Sequence, residues 1–293
     1  MNGILLVNKE KEYTSHDVVA VVKKITGEKV GHTGTLDPNA TGVLPLLIGK
    51  ATQISKYLIN HDKKYIATLK LGIKTDTADG EGNVIEEQDI NLINISKEKI
   101  EKILKKIIGK QEQIPPMYSA IKVNGKKLYD YARNGQTVEI KPRNIEIYST
   151  KLIDYNQNEI EFEIECSKGT YIRTVCEKIA EELNTIGYMK ELKRVQVGEF
   201  NIKNSYTIEE IINNKGQLEN RLILIEEIFN NKKSIELNNK QLQQFLNGVK
   251  IIINKNDDVY KIYNNHHFIG LGRIEEKRLK RDVIIWQIKN KIV

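Results

Sequence analysis

The sequence predicts an α+β fold with a mixed, mostly antiparallel sheet, followed by a small β-rich barrel of about 60 residues. Three observations predict it. Strand-period and helix-period segments are interspersed along the chain, an Asn124-Gly125 hairpin signal argues against a purely parallel doubly wound sheet, and the stretch beyond Asn230 holds several short apolar runs after one short helix. The chain has 293 residues, enough for a large domain and a small one. A polar break, Asn230-Asn231-Lys232-Lys233, divides it into 1–230 and 231–293.

In order, GILLVN (3–8) reads as a short buried strand, and Ser15-His16-Asp17 opens a helix with Val18, Val19, Val22 and Ile25 on one face, closed by Gly27. Lys64 to Leu71 alternates Tyr65, Ala67, Leu69 and Leu71 against Ile66, Thr68 and Lys70, a strand with one face suited to burial, and its outer end carries the loop TDTADGEG. Ser96 to Ile108 has Ile100, Ile103, Leu104, Ile107 and Ile108 at helical spacing. Glu159 to Cys166 alternates as a half-buried strand, and a helix from Ile172 to Leu183 follows. Past the break, a helix from Lys240 to Asn247 leads into VKIII, VYKIY, HFIGLG and VIIWQI as strands. No internal repeat is visible.

Hydrophobic residues make up 40% and charged residues 29%, the balance of a packed globular protein. No apolar run approaches the roughly 20 residues that span a bilayer, and the N-terminus lacks a cationic start, so a cytosolic protein is expected. Cys166 and Cys176 are too far apart for a CxxC pair and the five histidines have no ligand spacing, which argues against metals and disulfides. The formal net charge of +7 resides in residues 231–293, which hold 13 Lys/Arg and 6 Asp/Glu. That suits either a phosphate-binding appendage or a solvated lysine-rich surface.

One window stands apart. Val30 to Gly49 should hold about six charges at the chain's average composition, yet Asp37 is its only one. Asp37-Pro38 is a sound helix start, Asp as N-cap and Pro at the first helical position. Capping, however, does not call for the charge-free approach of Gly31, Thr33, Gly34, Thr35, Ala40 and Gly42, which lets a backbone come close to a ligand. Gly42 to Lys50 superficially looks like a P-loop but has too many residues between its glycines, and Ala51 where Ser or Thr belongs.

GHTGTLDPNATGVLPLLIGKAT (31–52) resembles the signature of TruB-type pseudouridine synthases, in which the Asp of LDP is catalytic. Further motifs follow in the family's order: TSHD (14–17), DKKYIATLKLG (62–72), TDTADGEG (75–82), PPMYSAIKVNGKKLYDYAR (115–133), CSKGTYIRT (166–174) and ELKR (191–194). The resemblance spans roughly residues 3–200, and the C-terminal segment is similar to the small PUA-like RNA-binding domain of bacterial members, without a specific motif. The family's first motif usually reads KPxGxTSHD, whereas this chain runs Lys9-Glu10-Lys11-Glu12-Tyr13 into TSHD, without the Pro and the Gly, which puts the local loop geometry in question.

The resemblance implies isomerisation of uridine to pseudouridine at position 55 in the TψC loop of tRNA, by a single copy, without cofactor or metal. The C1′–N1 bond breaks, the uracil rotates, and a bond forms at C5. A carboxylate assists by covalent attack on the ribose or by elimination at C2′, and either route wants Asp37 ionised in a water-poor pocket with a cation nearby. Arg173 is the expected cation, able to hold the carboxylate bidentately. The resemblance further implies that Tyr65 is catalytic, stacking on the base and helping to remove the C5 proton, that His32 fills the space of the flipped nucleotide, and that Tyr171 and Leu192 line the uracil pocket. Lys122, Lys126, Lys127 and Arg133, with Lys277, Arg278, Lys280 and Arg281, are candidate phosphate contacts. Two other readings compete: an RNA-binding protein with a vestigial Asp37, and a nucleoside hydrolase, which needs a second carboxylate that the window does not offer.

Overall fold

The computed structural model describes residues 1–91, 93 and 95–286. Period-two burial builds the central sheet. In the strand Lys63–Leu71 every second residue is buried, and it pairs antiparallel with Glu159–Cys166 so that Tyr65 faces Ile164, Ala67 faces Phe162 and Leu69 faces Ile160. The full order is Gly3–Lys9, Thr41–Ile48, Gly187–Val197, Lys63–Leu71, Glu159–Cys166, Arg143–Tyr155, Gly109–Gln113, with Val30–His32 on the second strand and Phe200–Asn201 on the third. All these pairs are antiparallel except Gly187–Val197 on Thr41–Ile48. The sheet is therefore mixed and mostly antiparallel, as the sequence predicts.

Helices cover it where their apolar faces demand. Ile172–Glu182 and Lys97–Lys106 pack on the strands around Lys63–Leu71, burying Ile100, Ile103, Leu104, Val175 and Ile179 against Leu69, Ile160 and Phe162. Ser15–Thr26 packs Val18 and Val22 on Leu5, Val7, Leu44 and Leu46. Its ends are chemically marked: Thr14 and Asp17 form a capping box, and Gly27 ends it at φ 67°. At the Lys97 helix the expected apolar face stops short, since Ile108 is exposed beyond its end.

The second sheet has five strands, Ser234–Glu236, Asp258–Asn264, His267–Glu275, Arg278–Ile284 and Ile251–Ile252, curled into a half-barrel. Ser234–Glu236 was not expected from its three polar-flanked residues. The VKIII strand shrinks to Ile251–Ile252, and the VIIWQI strand ends at Ile284, Gln287 and Ile288 lying outside the described residues. The two sheets share one apolar core, in which Val259, Leu271 and Val283 pack with Ile4, Leu47, Leu58 and Phe229. Asp282, nearly buried, binds Lys56 and Tyr57 across this junction. No helix of the described residues is long and apolar enough to cross a membrane.

Candidate active site

Asp37 does not cap a helix. It lies in an irregular loop between Val30–His32 and Thr41–Ile48, and a turn closed by Ala40 N–H to the Asp37 carbonyl at 3.1 Å leads into the next strand. Polar side chains from three distant segments hold this loop. Ser15 Oγ accepts from the Leu36 N–H at 2.9 Å and donates to the Leu36 carbonyl at 3.1 Å. The buried Lys9 ammonium donates to the carbonyls of Glu10, Tyr13 and Pro38 at 2.9, 2.6 and 2.7 Å. Arg194, 1% exposed, donates through Nε to Val43 at 2.9 Å and through its terminal nitrogens to Gly34 at 3.0 Å and Thr35 at 3.4 Å.

Residues 34, 35, 36 and 38 are thus pinned, and Asp37 is the one that projects. Two buried cations satisfied by carbonyls are costly to desolvate, and burial pulls Lys9 down to about 8 against the opposing pull of Asp37. Arg194 reaches the loop because its strand runs parallel to Thr41–Ile48 through the pairs Lys193–Thr41 and Arg194–Gly42. That approach requires glycine: Gly42 sits at φ 109°, and a Cβ there would lie 2.2 Å from the Arg194 carbonyl oxygen. In the altered first motif, Glu12 occupies the position of the glycine and adopts φ 70° itself, a left-handed conformation that costs a side-chain-bearing residue roughly 1–2 kcal/mol.

Arg173 does meet Asp37, at 3.3 Å, but its grip is not bidentate. Its second terminal nitrogen lies 3.2 Å from Asp79, and the guanidinium also donates to the carbonyls of Thr77 at 3.2 Å and Tyr118 at 2.9 Å. The fork is shared because four acceptors converge on it. The guanidinium side chain is 7% exposed while that of Asp37 is 47% exposed, so the carboxylate opens on solvent instead of sitting in a dry pocket. Asp79 is fixed in turn by the Thr77 hydroxyl at 2.6 Å and the Glu81 N–H at 3.1 Å. Its loop is tied to the sheet by the Met189 N–H on the Ala78 carbonyl at 3.1 Å.

Asp37 and Arg173 stand at a cavity of about 540 Å³ whose wall includes Tyr65, Tyr171 and Leu192, a size suited to a small-molecule-sized group. Tyr65 is buried, and desolvation pushes its phenol up to about 12, with the Arg194 charge opposing. Tyr171 precedes the Ile172 helix, its backbone clamped by the Gln113 amide at 2.8 and 3.0 Å. His32 is not in this wall. It lies edge-on to His16 with ring centroids 5.8 Å apart, and burial lowers its pKa.

The basic candidates divide. Lys122, Lys126 and Arg133 are exposed on a hairpin and short helix that adjoin the cavity through Ser119 and Ala120, while Lys127 donates to the Tyr129 hydroxyl at 2.8 Å. Lys277 and Arg278 are exposed at a turn, but Lys280 is ion-paired with Glu275 and Arg281 donates to the Leu246 carbonyl at 2.8 Å. Lys9, Ser15, Asp79 and Arg194 carry no role in the sequence reading, although all four sit inside motifs recognised there.

Known proteins similar to this chain place it in a family. Residues 22–172 match the family described as TruB family pseudouridylate synthase (N terminal domain), 173–230 the tRNA pseudouridylate synthase B C-terminal domain, and 234–281 the family Pseudouridine synthase II TruB, C-terminal. The tRNA pseudouridine synthase B of Caldanaerobacter subterraneus subsp. tengcongensis is 41% identical over 283 residues, 96% of this chain and 98% of that one. This chain belongs to the TruB family. It is a pseudouridine synthase, an isomerase. The tRNA pseudouridine synthase B of Francisella tularensis subsp. tularensis is 46% identical over 212 residues, 72% of this chain and 70% of its own length. The TruB fold is also that of a chain in the crystal structure of a Cbf5-Nop10-Gar1 complex, with a TM-score of 0.69 at 21% identity, covering 96% of this chain and 83% of that one.

Proposed function

We propose that this TruB-family enzyme isomerises the uridine at position 55 in the TψC loop of tRNA, with Asp37 as its essential carboxylate. The observation that carries the proposal is the lone projecting carboxylate of a pinned loop, held at 3.3 Å by a buried arginine at the mouth of a cavity sized for a flipped base. The tRNA substrate follows the names of the relatives, which match nearly the whole chain.

Arg173 holds the Asp37 carboxylate aimed at the ribose, and Asp79 keeps Arg173 in place. Tyr65, Tyr171 and Leu192 receive the uracil. With its phenol pushed to about 12, Tyr65 enters as a neutral ring, which favours stacking as its role. An ionised carboxylate can attack C1′ directly or promote elimination at C2′, and both routes start from this arrangement. Asp79 shares a smaller cavity of about 190 Å³ with Asp37, but its carboxylate is taken up by Arg173, the Thr77 hydroxyl and the Glu81 N–H, which suits a positioning group and not the facing acid that hydrolysis would need. The enzyme acts as a monomer. Residues 1–230 act as the catalytic domain and 231–293 as a PUA-like RNA-binding domain. His32 and the exposed basic residues serve the RNA.

The test is tritium release from tRNA labelled at uridine C5. Asp37→Asn is expected to lower it by at least about a thousandfold while the variant still binds tRNA. A transcript with cytidine at position 55 should release nothing specific to that site. Release that survives either change counts against the proposal.

A further inference from the structure

Lys63 is an unexplained charge. It is buried, 8% exposed, yet its ammonium has no carboxylate partner among the described residues and donates only to the His61 carbonyl. It also lies on a boundary. Lys63 lines the Asp37 cavity and at the same time a second cavity of about 360 Å³, walled by Asn60, His61, Asp62, Lys64, Glu165, Gln196 and Gly198. The two carboxylates of that second wall are occupied elsewhere. Glu165 pairs with Lys64 at 3.2 Å, and Asp62 accepts from the Tyr148 hydroxyl at 3.2 Å. At the rim, the exposed Lys168 reaches across to Asn60 at 2.6 Å, and Arg143 lines the first cavity.

We infer that Lys63, with Lys168 at the rim, forms a phosphate subsite that receives a backbone phosphodiester of the RNA strand adjoining the uridine seated on Asp37. The inference rests on the proposed reaction on RNA. An ammonium has three donors, of which Lys63 spends one on protein, and a buried cation left without an anion is costly. Burial, followed by the Arg194 charge, pulls its pKa below the ordinary lysine value, so an arriving phosphate relieves a cost the free enzyme carries. The strand then runs from one cavity towards the other past the wall they share, and the charge fixes which linkage lies beside the reacting sugar.

The test uses the full chain and a TψC stem-loop RNA in which each phosphate flanking the target uridine is replaced in turn by a neutral methylphosphonate. One linkage is expected to matter, costing the wild type about tenfold in affinity. Lys63→Met loses a similar factor with the native RNA and loses no more at that linkage, Lys63→Arg retains most of the affinity, and the loss falls on KM more than on kcat. The slope of log affinity against log salt falls by about 1. A wild type indifferent to every linkage, or a Lys63→Met chain that still loses the full factor at that linkage, overturns the subsite. If Lys63→Met melts early, the exposed Lys168→Met carries the same linkage comparison. Tritium release by the wild type is followed in parallel. Its absence counts against the reaction itself, whereas release without a sensitive linkage counts against the subsite alone.

Discussion

The loop around Asp37 and the basic turn of the C-terminal sheet both depend on cationic side chains, but they use them in opposite ways. The cations that hold the Asp37 loop, Lys9, Arg173 and Arg194, are few and buried, and each is bound by named carbonyls or carboxylates of the protein. In the stretch from Lys277 to Arg281 they are dense and exposed, and two of the four already have protein partners. A charge count flags the second region and misses the first. What marks a cation as part of a working site is the burial it must overcome, not its density in the sequence.

The largest way to break that contrast is Arg194→Met. It leaves the carbonyls of Gly34, Thr35 and Val43 without their donor, and is expected to cost about 3 kcal/mol or more. Thermal melting should then fall by roughly 6–12 °C, with the Asp37 loop losing its protection from hydrogen exchange. Asp79→Asn comes next. It frees one side of the Arg173 fork, and steady-state kinetics should show kcat down by about a hundredfold with tRNA affinity within roughly threefold of wild type.

The C-terminal charges should answer more softly and unequally. Replacing the free pair Lys277 and Arg278 by Gln is expected to lower the salt slope of tRNA binding by about 0.7–0.9 for each phosphate that is no longer neutralised, while replacing Lys280 and Arg281 should lower it less. Equal effects would mean that their protein partners give way when RNA arrives. Deleting residues 231–293 is a poorer test, because Val259, Leu271 and Val283 share a core with the central sheet. The smallest expected effect is Glu12→Gly, which relieves a left-handed backbone at an exposed site. Chemical denaturation should show a gain of roughly 0.5–1 kcal/mol with activity unchanged.

Elements governed by periodicity are legible in the sequence alone. Glu159–Cys166 alternates strictly and is a strand with those bounds, and the Asn124-Gly125 pair, both at positive φ, turns the hairpin it announces. Asp37 stands out by the absence of charge around it. What could not be read was who holds the loop, because Lys9, Ser15 and Arg194 meet it only through tertiary approach, and a buried lysine and a solvated one are the same letter. Ser234–Glu236 was missed for a related reason: three residues carry no period, and only pairing with Asp258–Asn264 makes them a strand.

The hydrogen bond from Arg194 to Gly34 joins residues 160 positions apart. A chain leaving the ribosome therefore exposes Asp37 long before Arg173, which pairs with it, and Arg194, which anchors its loop, have been synthesised. Competence arrives all at once, when the strand Gly187–Val197 slots beside Thr41–Ile48, and pairings of such long range form slowly. A chain that stops short of residue 194 carries the signature motif but lacks the arginine that anchors its loop.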